Sequence, residues 1–98
     1  MTRCEIIANQ SVQDEIISLM EEHIEGVLYT VIPTVTGRGK NSYKMGNGTW
    51  PETNFILVSY IEDEHVAMMK AIIKAVKERF TGEGIKLFLV KAEESDGE

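Results

Sequence analysis

The order in which two hydrophobic periods follow one another limits what this chain can fold into more than any other feature. Cys4 to Asn9, Val27 to Thr36, Phe55 to Ile61 and Ile85 to Lys91 are short runs rich in β-branched and aromatic residues, the pattern of strands. Between the first two runs, Val12, Ile16, Met20 and Ile24 recur every four residues, flanked by Ile17 and Leu19. Between the last two, Val66, Met69, Ile73, Val76 and Phe80 make a second stripe, widened by Met68 and Ile72. Stripes at this spacing are amphipathic helices.

The order is therefore strand, helix, strand, strand, helix, strand. It predicts an α+β domain of the ferredoxin-like βαββαβ type, one four-stranded antiparallel sheet with two helices on one face. Right-handed crossovers leave few alternatives. Local signals agree. Ser11 with Asp14 three positions on reads as a capping-box-like helix start, and Gly26 suits the left-handed residue that closes the helix. Pro33 marks an edge position or a bulge. Glu62-Asp63-Glu64 places acids in the first turn of the second helix, and Thr81 to Gly84 is a tight turn into the last strand.

A sheet covered on one face should alternate apolar with polar residues, and these strands do not. Phe55 and Leu57 face one way while Ile56, Val58 and Tyr60 face the other; Leu87 and Leu89 oppose Phe88 and Val90. The second face would leave a large apolar patch in water, so the pattern predicts further copies of the chain packed on it.

At 98 residues the chain is one domain, expected to comprise residues 1–91 with 92–98 as an acidic solvated tail. A formal net charge of −6 argues against a general nucleic-acid binder, though not against one small anion held in a local cationic patch. Cys4 is the only cysteine, which rules out an internal disulfide and suits a small buried apolar residue. No run approaches the roughly 18 apolar residues of a membrane span, and the apolar stretch after Glu5 is too short for a signal peptide. The expectation is a cytoplasmic protein without membrane insertion.

Catalysis is not expected. Ser11 and Ser42 lack any nucleophile-elbow motif, and Cys4 and the two histidines lie on separate elements. His23 sits among Glu21, Glu22 and Glu25, and His65 follows Glu62, Asp63 and Glu64. Neither has a second histidine one turn on or a cysteine pair, and solvated helix faces account for both stretches. His65 with Glu62 is the weak metal alternative.

The segment from Gly37 to Pro51 carries the functional signal. It holds half of the eight glycines and three of the ten cationic side chains, with no acid before Glu52. Hairpin loops normally take roughly 2–5 residues, so a loop this long is a binding element or an insertion. Gly37 and Gly39 let the backbone approach a ligand. Arg38 can grip a phosphate or carboxylate bidentately, while Lys40 and Lys44 add point charges. A mobile loop with scattered cations is the competing reading. Trp50-Pro51 either anchors the loop's end on the sheet or offers a ring for stacking.

On these residues the chain resembles the PII signal-transduction family over nearly its whole length. Gly26 precedes a long strand, and Gly37-Arg38-Gly39-Lys40 is similar to the G-R-Q-K that opens that family's T-loop. Thr81-Gly82-Glu83-Gly84-Ile85-Lys86-Leu87-Phe88 is similar to its T-G-x-x-G-D-G-K-I-F B-loop. The resemblance implies a homotrimer whose sheet faces meet at the centre. It also implies an adenine nucleotide (ATP, ADP or AMP) between subunits, bound by Gly37, Arg38, Gly39, Lys40, Thr81, Gly82, Gly84 and Lys86. Tyr43, Lys44 and Trp50 would then belong to the loop that signals to a partner protein. The chain departs from the pattern in three places. The B-loop is shortened, with Glu83 near the position of a phosphate-contacting lysine; the C-terminal arginines give way to acids; and the T-loop is shorter. The expected function is a divergent PII-like regulator. A PII- or CutA-like trimer that handles divalent metal, and a structural trimer without ligand, are the alternatives.

Overall fold

The computed structural model describes residues 1–38, 43–44 and 53–95. Its elements are β1 (Thr2–Asn9), α1 (Gln13–His23), β2 (Thr30–Val35), β3 (Gly37–Arg38), β4 (Tyr43–Lys44), β5 (Asn54–Ile61), α2 (Val66–Arg79) and β6 (Ile85–Lys91). A short 3-10 turn leads into each helix, Gln10–Val12 and Asp63–His65. Four strands form one antiparallel sheet in the order β2-β5-β1-β6, and β3 with β4 makes a separate two-stranded ribbon. The ferredoxin-like α+β architecture is present.

Register explains the core. Ile6 stands between Leu57 and Leu87, Cys4 between Ser59 and Leu89, and Ala8 between Phe55 and Ile85. All these side chains lie on one face, and Cys4, Ile6, Ala8, Phe55, Leu57 and Ile85 are buried. The helices cover them with the predicted stripes: Val12, Ile16, Met20 and Ile24 from the first, Met69, Ile72, Ile73 and Val76 from the second. Each fully buried side chain of this size contributes about 1.5–3 kcal/mol relative to exposure. Met68 is a correction: it is 39% exposed. It falls outside the arc that Met69, Ile72, Ile73 and Val76 turn toward the sheet.

The opposite face carries Ile32, Tyr60, Phe88 and Val90, which are 48–53% exposed, and Leu28 beside them is 79% exposed. At its centre, Arg3 Nη1 donates to Glu5 Oε1 at 3.0 Å, and the carboxylate holds the guanidinium pKa above its ordinary value, helped by Tyr60.

Three further expectations need correcting. The cap of the first helical segment is Asn9, whose Oδ1 accepts from the Ser11 N–H at 2.8 Å. Ser11 is displaced from that role because a 3-10 turn begins before it; Asp14 does stand in the first turn of α1. β2 starts at Thr30 rather than Val27. Buried Ser59 donates its hydroxyl to the Leu28 carbonyl at 2.7 Å, and Tyr29 donates to Glu21 Oε2 at 2.7 Å. These bonds tie residues 28 and 29 to side chains instead of a ladder. His65 is half-buried, with its N–H donating to the Glu62 carbonyl at 2.9 Å, rather than fully solvated. Gly26 does adopt the left-handed conformation, φ 70°. Pro33 is both predictions at once, lying on the edge strand where the register shifts between Ile32 and Val35.

Asp63 ties both ends of the described chain to the start of the second helical segment. It accepts from Thr2 Oγ1 at 2.7 Å, lies 3.2 Å from the Met1 amine and 3.3 Å from Lys91 Nζ. Thr2, then the amine and Lys91, hold its carboxyl down at about 2. An unfolded aspartate titrates near about 3.9. The depressed value is therefore a stabilisation present above that pH and lost as pH falls toward the folded value. Thermal unfolding between neutral pH and about pH 2 should show Asp63→Asn less stable than wild type at neutral pH. The difference should close as the medium is acidified through that window.

Candidate functional site

Antiparallel register gathers the candidate residues at one end of the sheet. Val35 and Asn9 both stand opposite Asn54, while Ala8 stands opposite Ile85. The end of β2, the start of β5, the end of β1 and the start of β6 therefore converge. The long loop and the 81–84 turn both leave from that end.

The loop begins as a paired ribbon, with Gly37 opposite Lys44 and Arg38 opposite Tyr43. Gly37 and Arg38 are exposed. Gly39, Lys40 and Trp50 lie outside the described residues, as does most of the loop between Arg38 and Thr53. In the turn, Thr81, Gly82 and Gly84 are exposed, and the Glu83 N–H donates to the Phe80 carbonyl at 3.0 Å. A Cβ placed on Gly37, Gly82 or Gly84 would meet nothing within 4 Å. Packing does not demand these glycines, and the space beside them is open. Lys86 points outward from β6 opposite Ile7.

The two candidate anion-binding elements are not brought together within one chain. Arg38 follows β2 at one sheet edge and the turn precedes β6 at the other, with β5 and β1 between. Three strand spacings separate them by about 14 Å.

Gln10 is a residue of this end that sequence reasoning missed. Its backbone N–H donates to the Thr53 carbonyl at 2.9 Å, on the far stem of the loop. Its side-chain amide donates to the Pro33 carbonyl and, at 3.1 Å, to Thr34 Oγ1 on the near stem. One residue thus pins both stems to the start of the first helical segment, filling the gap that the β2 bulge opens. A lone glutamine has no periodicity to reveal it. The only signal is its place, at the last turn out of β1.

Among the described residues, two buried polar atoms at this end have no hydrogen-bond partner: Asn9 Nδ2 and Glu83 Oε2. Asn9 is 2% exposed.

The opposite end of the sheet holds an open cleft of about 610 Å3, lined by Leu28, Thr30, Val58, Tyr60 and Glu62 among others. Glu93 and Glu94 also line it. Its carboxylates disfavour an anion, and of the candidate residues it contains only Glu62.

Other chemistry finds little support in the geometry. Cys4 is 0% exposed and burial pushes its thiol pKa up, which disfavours the nucleophilic thiolate. Among the described residues no three His, Cys, Asp or Glu side chains are grouped as metal ligands, and this includes His65 with Glu62. No helix of the described residues is long and apolar enough to cross a membrane.

No protein-family model and no curated protein matches the sequence significantly. Solved structures do match the fold. One is CPII of Thiomonas intermedia K12, a nitrogen regulatory PII-like protein bound to ADP, AMP and bicarbonate. It is 16% identical with a TM-score of 0.70, over 91% of this chain and 82% of that one. A protein of Thermus thermophilus described as PII-like in signalling is 16% identical with a TM-score of 0.64, over 91% and 83%. A de novo designed protein, Foldit4, also matches, at 11% identity and a TM-score of 0.59 over 94% and 98%. A fold shared with proteins this different does not by itself imply an activity. What this chain shares with the PII-like proteins, over nine-tenths of its length, is their fold.

Proposed function

We propose that this protein is a PII-like regulator. It binds a small anionic effector, an adenine nucleotide, in clefts between copies of itself, and it signals to a partner protein through loop 37–53. The observation that carries this reading is the division of the site. Arg38 and the 81–84 turn occupy opposite edges of the same sheet end, about 14 Å apart. A second copy that brings its turn beside Arg38 completes what one chain leaves open. The apolar outer face of the sheet supplies the reason for copies to associate. The resemblance of the two loops, and nucleotide binding by CPII of Thiomonas intermedia, support the choice of ligand. Lys40, as an additional point charge, and Gly37 and Gly39, as close-approach positions, belong to the same site in this reading.

Signalling follows from how the loop is held. Gln10 holds both stems, and in this reading the loop between them is what responds to the ligand. A ligand that contacts Arg38 in one loop arrangement and not in another shifts the population between them. The partner, which recognises one arrangement through Tyr43, Lys44 or Trp50, reads that shift.

Two measurements test the reading. Native mass should correspond to a trimer. Phe88→Lys places a charge on the outer face opposite Glu5, where a monomer tolerates it and a packed interface does not; it should give a folded monomer. Wild type that is itself monomeric at micromolar concentration would remove the intersubunit cleft. Second, AMP, ADP or ATP should raise the melting temperature by linkage. Arg38→Ala should weaken that binding by about 1.5–3 kcal/mol, the range for a hydrogen bond to a charged group, and leave the ligand-free melting temperature unchanged. Equal binding by the variant would eliminate Arg38 as the anion contact.

A further inference from the structure

The two helices carry opposite charge. α1 holds Asp14, Glu15, Glu21 and Glu22 and no lysine or arginine. α2 holds Lys70, Lys74, Lys77 and Arg79 against the single acid Glu78, in a chain whose net charge is −6. Among the described residues one ion pair joins the helices, Arg79 to Glu15. Lys70, Lys74 and Lys77 are exposed and form no ion pair among the described residues. Their spacing puts like charges side by side, which is unfavourable in an isolated helix. Lys70 and Arg79 are about two and a half turns apart at 3.6 residues per turn. The lysine row therefore lies on the flank of α2 away from α1.

Between the charges the helix surfaces are low. Ala67, Ala71 and Ala75 are exposed on α2, as is Ser18 on α1, and side chains this small let two helix axes approach to about 8–10 Å. Glu15, near the start of α1, meets Arg79 at the end of α2, so the helices run antiparallel with these two residues level. A second copy turned about a two-fold axis along the helices, layer against layer, sets its α1 over α2 and keeps that level. At an equal rise of about 1.5 Å per residue, Glu21 and Glu22 of one copy then fall between Lys70 and Lys74 of the other. Ser18 falls beside Ala75, and Glu78 meets Ile16 rather than an acid. The other two-fold choice, across the helices, sets acids on acids and lysines on lysines. We propose that the helix layer is a docking surface for the helix layer of a second copy, α1 of each on α2 of the other. The contact is isologous, so it closes on itself. It lies on the side of the sheet opposite to the apolar outer face, and it stands or falls independently of association through that face.

Such a contact is tested by ionic strength. Phe88→Lys offers the helix layer without the sheet face. By sedimentation it should show twice its chain mass at about 0.01 M salt, where charges act over roughly 30 Å, and its single mass at about 1 M, where they act over roughly 3 Å. Wild type, measured beside it in case that variant folds poorly, should likewise gain mass at low salt and lose the gain at high salt. Added to either parent, Lys74→Glu and Glu21→Lys should each abolish the gain. Glu22→Lys is the second acid variant, since Glu21 also accepts from Tyr29. The acid variants bring the net charge two units closer to neutral, so their loss of association cannot come from general repulsion. An equimolar mixture of Lys74→Glu with either acid variant should regain the low-salt mass, because each reversed charge meets a reversed partner. Masses that do not depend on salt overturn the proposal. So do reversed variants that associate as their parent does, or a mixture that stays dissociated. Wild type that is dimeric at low salt and monomeric at high salt would remove the sheet-face assembly and leave this contact standing.

Discussion

The pairing of β1 with β5 on one side and β6 on the other is the constraint on which everything else rests. Ile6 is held between Leu57 and Leu87, and the same phase places Cys4 and Ala8 on the helix-facing side. A slip of one residue would turn Arg3, Glu5 and Ile7 into the core and push the buried set into water. Only in the observed register can the two helical stripes close over a dry face. That register also sets which chain segments meet at each sheet end. The loop stems, the start of the first helical segment and the 81–84 turn share one end because β1 and β5 meet there. Gln10 can span both stems only because β1 ends at the same sheet end as the bulge in β2, with β5 alone between them.

The charge layout has a consequence for assembly. A chain of net charge −6 places Arg38 at the exposed base of the loop, and collects Glu62, Glu93 and Glu94 around the cleft at the far end. Between these ends, the outer sheet face is largely apolar, with the Arg3–Glu5 pair at its centre and Lys86 opposite Ile7 toward the loop end. In a solvated monomer such a pair adds little stability. Within an interface Arg3 and Glu5 arrive already paired, so covering the centre of the face does not strand either ion. The face is thus suited to being covered by further copies, while the two ends keep opposite electrostatic characters.

The comparison with solved structures bears on the same point. CPII of Thiomonas intermedia and a designed protein share this architecture at 16% and 11% identity. The scaffold is a frequent solution to covering a four-stranded sheet with two helices. The shared fold therefore leaves open what this chain does, which depends on the side chains it carries. At the loop end the glycines, Arg38, Asn9 and Glu83 are local choices that the scaffold does not require.

The kind and order of the elements are legible in the chain alone, because hydrophobic period is a local property. Four-residue spacing at Val12, Ile16, Met20 and Ile24, and the two-sided apolar runs at Phe55–Ile61 and Ile85–Lys91, need no partner to be read. Gly26 and Pro33 are marked in the same way, since their backbone restrictions are intrinsic. The cap passed from Ser11 to Asn9 for a local reason, a 3-10 turn that begins before Ser11. Long-range contacts settled the rest: residues 27–29 left β2 because hydrogen bonds with Ser59 and Glu21 on other elements overrode the local signals. Asp63 reads in the sequence as a helix-start acid, yet its main partners are Thr2, the Met1 amine and Lys91, which only the closed sheet brings near. The separation of Arg38 from the 81–84 turn could not be read from the chain either. Strand order places them at opposite edges, and order is fixed by which strands pair, a property of the whole sheet and not of any segment in it.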